Sequence, residues 1–271
     1  MGRLLITAAA VFLLAGALAL MFDLETQFMF PTHAVAPPGP LPRGAERVKI
    51  AVDGGKQLHG VHVPPAAHPP GARTLILGFP GNAWNSDDAA TFLHGLYPAA
   101  DIVVFHYRGY RPSTGSPSAE ALLEDAPLVY DFAVARYPAD RTVAVGFSIG
   151  TGVAASLAGQ RPLDGLILVT PFDSLKAVAS GHYPFLPVGA LLRHDMDAAA
   201  ALANSRVPTA IIAAQHDSII PPGRTEALRP SVGNLVFDRT IPDAGHNDIY
   251  HRSEFRSAMD DALAAVTNAG R

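Results

Sequence analysis

Hydrophobic and polar positions along the chain fall into two periods. Short apolar runs bounded by Gly, Pro or Asp recur at Glu46–Val52, Leu58–Val63, Arg73–Gly78, Ile102–Tyr107, Thr142–Phe147, Gly165–Thr170, Thr209–Gln215 and Leu235–Ile241, and these read as strands. The Asp53-Gly54-Gly55 turn between the first two runs marks a hairpin. Helical spacing fills several of the intervals: Asp87–Leu96, Ala119–Tyr137 with Ser118 as its cap, Thr151–Ala158 and Ser253–Val266. Pro127 is expected to kink the second of these helices or to mark its true start. The segment from Phe172 to Arg206 lacks a clear period and reads as a small cap or lid. Alternating strands and helices predict an α/β domain over residues 46–271, with a mostly parallel sheet, antiparallel N-terminal strands and helices on both faces.

The N-terminus follows neither period. Leu4–Phe22 is apolar and free of charge, preceded by Arg3 and followed by Asp23 and Glu25. About 19 residues at 1.5 Å rise approach the thickness of a bilayer core, so residues 1–22 read as a membrane anchor. A cleaved signal peptide, with Ala17-Leu18-Ala19 as its cleavage site, is the competing reading; the near-complete span length favours the anchor. Arg3 should stay cytoplasmic, which puts the domain in the periplasm or outside the cell. Residues 23–45, rich in proline from Pro31 to Arg43, read as a linker. A single candidate span excludes an integral transporter.

Composition narrows the chemistry. The 271 residues suffice for one sizeable core. A net charge of −4 without a long basic run argues against a nucleic-acid partner. The absence of cysteine removes disulfides, thiolate metal sites, a cysteine nucleophile and a lipoprotein lipobox together. Oligomeric state leaves no mark in the sequence.

Gly146-Phe147-Ser148-Ile149-Gly150 joins a buried strand to a helix, the pattern of a nucleophile elbow. The glycines let strand and helix pack closely, and the turn exposes the serine hydroxyl. It also aims the N–H of Ile149, at the helix start, at a bound carbonyl oxygen. A serine nucleophile needs a base, and the base an orienting carboxylate, in the chain order Ser, Asp or Glu, His. Asp217, after the Thr209–Gln215 run, and His246, in the glycine-containing loop after the last strand, fill these positions. Asp173 is the rival acid, and His251 and His216 are rival histidines. The second oxyanion donor is expected from Gly78–Asn85, with the N–H of Asn82 as the candidate. Phe172, Tyr183, Phe185 and Leu186 could line an acyl pocket or merely pack within the cap.

With these residues in place, the chain from about Gln27 to its end resembles the α/β-hydrolase superfamily. It looks most like the membrane-anchored, single-domain branch of α/β-hydrolase-domain esterases and acyl-thioesterases. Gln27-Phe28-Met29-Phe30-Pro31, Pro80-Gly81-Asn82-Ala83, Tyr107-Arg108-Gly109-Tyr110, Gly146–Gly152, His182–Pro187, Asp217–Pro222 and Gly245–Asp248 carry the likeness. The resemblance implies hydrolysis of esters or thioesters with no metal or organic cofactor. Three positions depart from the pattern. Pro80 replaces a histidine of the oxyanion loop, His106 stands where an aspartate often precedes the arginine loop, and Phe147 is more apolar than the usual neighbour of the serine.

Two other readings stay open. A serine peptidase on the same fold would need an acidic site for a terminal amine, for which Asp195 and Asp197 are the candidates. A membrane-tethered binding protein without chemistry would not need Ser148, Asp217 and His246 together. A dehalogenase is disfavoured because it would need a carboxylate at position 148.

Overall fold

The computed structural model describes residues 25–67, 71–185 and 192–269. Its apolar runs pair into one sheet of eight strands: β1 (Glu46–Val52), β2 (Lys56–Val63), β3 (Thr74–Phe79), β4 (Asp101–Phe105), β5 (Arg141–Phe147), β6 (Gly165–Val169), β7 (Thr209–Ala214) and β8 (Leu235–Ile241). Their spatial order is β1-β2-β4-β3-β5-β6-β7-β8. The pairs β1/β2 and β2/β4 are antiparallel, and every other pair is parallel. The central strand β5 has a neighbour on each side, from Thr74↔Arg141 to Phe79↔Gly146 and from Val143↔Gly165 to Phe147↔Val169. Covered on both faces, it needs the unbroken apolar run that it carries.

From β1 onward, the α-helices among the described residues are α1 (Ser86–Leu96), α2 (Ala119–Arg136), α3 (Ile149–Ala158), α4 (Leu175–His182), α5 (Ala198–Leu202), α6 (Pro222–Leu228) and α7 (Ser253–Ala269). Leu93 of α1 and Phe255 and Met259 of α7 pack on one face of the sheet, with Ile76, Val145 and Ile212. Leu122 and Val129 of α2, Leu157 of α3 and Leu202 of α5 pack on the other, with Leu77, Ala144 and Leu168. Each such side chain contributes on the order of 1.5–3 kcal/mol on burial, so the two apolar layers hold the sheet between them.

Four expectations need correction. Pro127 neither starts nor ends α2; the helix begins at Ala119, where the Ser118 hydroxyl accepts from the N–H of Ala121, and continues through the proline to Arg136. The cap and the buried face of Leu122, Ala126, Val129 and Ala133 offset the lost backbone bond. The stretch 172–206 is less irregular than its pattern suggests, since it carries α4, capped by Ser174, and α5, capped by Asp197. Residues 23–45 are no free spacer where they are described. Phe30 is 2% exposed, the Asn85 amide donates to the Ala36 carbonyl at 3.0 Å, and the N–H of Gly39 donates to Asp88. Several strands also end a residue or two early. Among them, β4 stops at Phe105, and His106 turns to bond Asp87 through Nε2 at 3.1 Å. Among the described residues no helix is long and apolar enough to cross a membrane; Leu4–Phe22 lies outside them.

Candidate active site

The tip of β5 places Ser148 in a conformation that side chains rarely adopt, φ 52° and ψ −120°. Such backbone costs about 1–3 kcal/mol and persists only where the surroundings enforce it. Here the Ser148 N–H donates to the Val169 carbonyl at 3.0 Å, and the Ser148 carbonyl accepts from the N–H and hydroxyl of Thr151 at 2.9 and 2.6 Å. The flanking glycines are obligatory. A Cβ on Gly146 would lie 2.5 Å from the Gly150 carbonyl oxygen, and one on Gly150 would lie 2.1 Å from that of Phe79.

The loops after β7 and β8 bring two more groups to this tip. His246 Nε2 stands 2.9 Å from Ser148 Oγ, and His246 Nδ1 stands 2.7 Å from Asp217 Oδ2. The other carboxylate oxygen of Asp217 accepts from the N–H groups of Ile219 and Ile220 at 2.9 and 2.7 Å. Three donors therefore converge on one buried carboxylate and fix its orientation toward the imidazole. With Nδ1–H given to Asp217, Nε2 is left to accept the serine proton. The His246 loop is pinned from outside by Gly245 N–H to Asp248 at 2.5 Å and by His216 N–H to the Ala244 carbonyl at 2.8 Å.

The rivals sit elsewhere. Asp173 pairs with Arg224 at 3.2 Å. The His216 ring is exposed and lies 3.7 Å from Asp243, and His251 is exposed in a short 3-10 turn. A Cβ on Gly81 would lie 3.6 Å from that of Ser148, which sets the loop bearing Asn82 against the serine. Among the described residues neither the Asn82 N–H nor the Ile149 N–H donates to a protein acceptor. Both are free to receive a developing negative charge.

The three departures acquire explanations. The Pro80 carbonyl accepts from the Tyr107 hydroxyl at 2.9 Å, so that loop is tied without a histidine side chain. His106 bonds Asp87, which also takes Arg47 at 2.8 Å, while Arg108 finds its partner in Asp125 on α2. Phe147 is fully buried beneath the elbow, packed against Trp84, Phe92 and Tyr250 with ring centroids 5.2, 6.1 and 6.0 Å away.

A cleft of about 360 Å³ opens beside Ser148, lined mainly by Phe28, Met29, Phe172, Leu175, Val178 and Ile220. Phe172 lies buried in its wall and Tyr183 stands at its edge. Phe185 is 98% exposed and does not line it. Leu186 lies outside the described residues. Sequence reasoning missed the part played by the N-terminal arm. Phe28 and Met29 form cleft wall, and the Met29 carbonyl accepts from the Asn82 side-chain amide at 2.6 Å. On its other side the Asn82 amide oxygen accepts from the Tyr110 hydroxyl at 2.5 Å. Burial pushes the Tyr110 and Tyr107 phenols above their usual range, so both remain protonated donors. The apolar Phe28-Met29-Phe30 triplet just after Glu25 was the available signal. Among the described residues, no group of three His, Cys, Asp or Glu could hold a metal ion.

Comparison with known proteins agrees with this architecture. The α/β-hydrolase fold family model matches residues 75–188. The uncharacterized protein Rv2307c of Mycobacterium tuberculosis is 32% identical over 213 residues, covering 77% of this chain and 74% of its own. An α/β hydrolase from Vibrio vulnificus superposes with a TM-score of 0.69 at 18% identity, over 91% of this chain and 93% of its own. An esterase of Pyrococcus furiosus does so with a TM-score of 0.65 at 16% identity, over 85% and 96%. The sheet order, the serine at the tip of its central strand and these matches together make the chain a member of the α/β-hydrolase family.

Proposed function

We propose that the protein is a serine hydrolase that cleaves carboxylic esters or thioesters through an acyl-enzyme. One observation carries this reading: the unbroken chain of hydrogen bonds from Ser148 through His246 to Asp217, at 2.9 and 2.7 Å, at the strained tip of β5. His246 takes the proton from Ser148 as Oγ attacks the acyl carbon. Asp217 holds the imidazole tautomer and stabilises the imidazolium. The N–H groups of Asn82 and Ile149 receive the oxyanion, and one such donor is worth ~10²–10³ in rate. His246 then returns the proton to the departing alcohol or thiol. Water, activated by the same histidine, frees the acid.

The apolar lining of the cleft favours an acyl chain over a charged peptide terminus. The acidic groups that a peptidase would need are engaged elsewhere: Asp195 with Lys176 at 3.5 Å, and Asp197 as the cap of α5. No organic cofactor or metal enters the proposed cycle. In this reading residues 1–22 tether the domain to a membrane on its periplasmic or outer side.

The test is a panel of p-nitrophenyl esters of increasing chain length, with a thioester and an aminoacyl anilide. The expected result is turnover of esters or thioesters and none of the anilide, abolished in Ser148→Ala. A folded protein that turns over none of them, or a Ser148→Ala variant with full activity, overturns the proposal.

A further inference from the structure

Among the described residues five large apolar side chains are exposed, and four of them stand at or beside the mouth of the Ser148 cleft. Phe28, Tyr183 and Ile219 edge the opening at 69%, 43% and 44% exposure, and Phe185 follows Tyr183 at 98%. The four belong to one surface. The Phe28 and Tyr183 rings meet edge to face at 6.3 Å, and His182 Nε2 donates to the Ile219 carbonyl at 2.8 Å. The fifth, Leu128, is on α2 and lines no part of the cleft.

Two uncharged stretches lie close to these rim residues in the sequence. Leu4–Phe22 ends just before Glu25, and Tyr183–Leu192 carries no charged side chain and is followed by Arg193. Glu25 accepts from the N–H of Arg193 at 2.8 Å, so the points where both stretches join the described fold are bonded to each other. A rim for a water-soluble substrate has no need of exposed Phe and Tyr, and four side chains are far fewer than the 20–30 residues a side of a standard protein interface. Aromatic residues beside a span-length apolar segment are the pattern of a membrane–water boundary.

We propose that this rim is a bilayer-docking surface. Phe28, Tyr183, Phe185 and Ile219 enter the lipid at the headgroup–acyl boundary and hold the cleft mouth against it, so that an acyl chain passes from the membrane to Ser148 without crossing water. The docking stands on the rim; only the acyl transfer rests on the hydrolase reading.

The cysteine-free chain allows a clean test. Full-length Phe185→Cys and Leu128→Cys variants, each carrying an environment-sensitive fluorophore, are reconstituted into phosphatidylethanolamine–phosphatidylglycerol vesicles. The label at 185 should shift to the blue and be quenched by lipids spin-labelled near the headgroup, while the label at 128 reports water. A label at 185 that behaves like the one at 128 overturns the proposal. So does a blue shift that grows with protein density without lipid quenching, which would mark a second copy of the chain as the occupant. In a second arm, Phe185→Ser should lower hydrolysis of a long-chain ester presented in vesicles by about tenfold, the factor set by partial burial of one Phe, and leave a soluble short ester unchanged. Equal activity on the vesicle ester contradicts the docking. A quenched label with no hydrolysis of either ester leaves the docking standing and removes the hydrolase reading instead.

Discussion

The Tyr110–Asn82–Met29 clamp makes a sharp prediction about the oxyanion loop. Tyr110→Phe removes a hydroxyl that sits 2.5 Å from Asn82 Oδ1 and leaves that part-buried oxygen without its protein donor. The penalty for such a loss is about 1–3 kcal/mol. If the clamp acts by holding the Asn82 N–H where the oxyanion forms, this energy is missing from the transition state. At 1.36 kcal/mol per decade it lowers kcat by roughly 5- to 150-fold, reaching only the lower end of the ~10²–10³ expected when a donor is lost outright. KM should stay within about twofold, since the phenol does not line the cleft. The assay is steady-state kinetics on a short p-nitrophenyl ester beside a thermal melt. Asn82→Ala should produce a similar fall, and the double variant should be no worse than Asn82→Ala, because both changes break one bond. A Tyr110→Phe enzyme with unchanged kcat and a lowered Tm, or losses that simply add, refutes the clamp as a positioning device.

Three further outcomes follow from the packing and the charges. Phe147→Ala should destabilise the fold by about 3–5 kcal/mol in a denaturant titration, because the ring is fully buried among Trp84, Phe92 and Tyr250; a change under about 1 kcal/mol would mean the cluster collapses freely. Gly150→Ala, whose Cβ would fall 2.1 Å from a backbone oxygen, should yield protein that is misfolded or lacks turnover, whereas Gly181→Ala on α4, with open space around it, should be neutral when assayed alongside. Burial works against ionisation of Asp87 and Asp101, but hydrogen bonds from His106 and Arg47 to the first, and from His62 and Arg73 to the second, outweigh it and hold both carboxyls below the usual range. Their stabilising contribution is therefore complete above the unfolded-state value of about 4 and is lost as pH falls through the lower folded values. Tm of the wild type should drop across that acid window, and Asp87→Asn, less stable at neutral pH, should show a shallower drop; parallel curves would contradict the assignment.

Most of the sheet could be read from the chain because its strands are covered on both faces. Runs such as Thr142–Phe147 and Gly165–Thr170 stand out against their flanking Gly, Pro and Asp without reference to anything distant. The elbow was equally legible, since the glycines enforced at 146 by the turn itself and at 150 by the Phe79 carbonyl of β3 fall in one five-residue pattern. Long-range pairing was less so. Nothing near Arg108 identifies Asp125 as its partner, and His106 offers no sign that its bond goes to Asp87 on α1. The N-terminal arm was hidden for a related reason. The short segment ahead of the proline-rich stretch offers an apolar triplet but too few residues for a period, and so no sign of what Phe30 packs against or that the Met29 carbonyl holds Asn82. Phe185 erred in the opposite direction: an aromatic residue in a cap suggests a pocket wall, and only its near-complete exposure shows that it is none.

The central claim is that Ser148 Oγ is the nucleophile. The most direct measurement is intact-protein and peptide mass spectrometry after brief exposure of the folded chain to a fluorophosphonate. The account predicts one adduct per chain, on the peptide that contains Ser148, absent from Ser148→Ala and strongly slowed in His246→Ala. A folded protein that takes no label, or an adduct that persists when Ser148 is replaced, would contradict it.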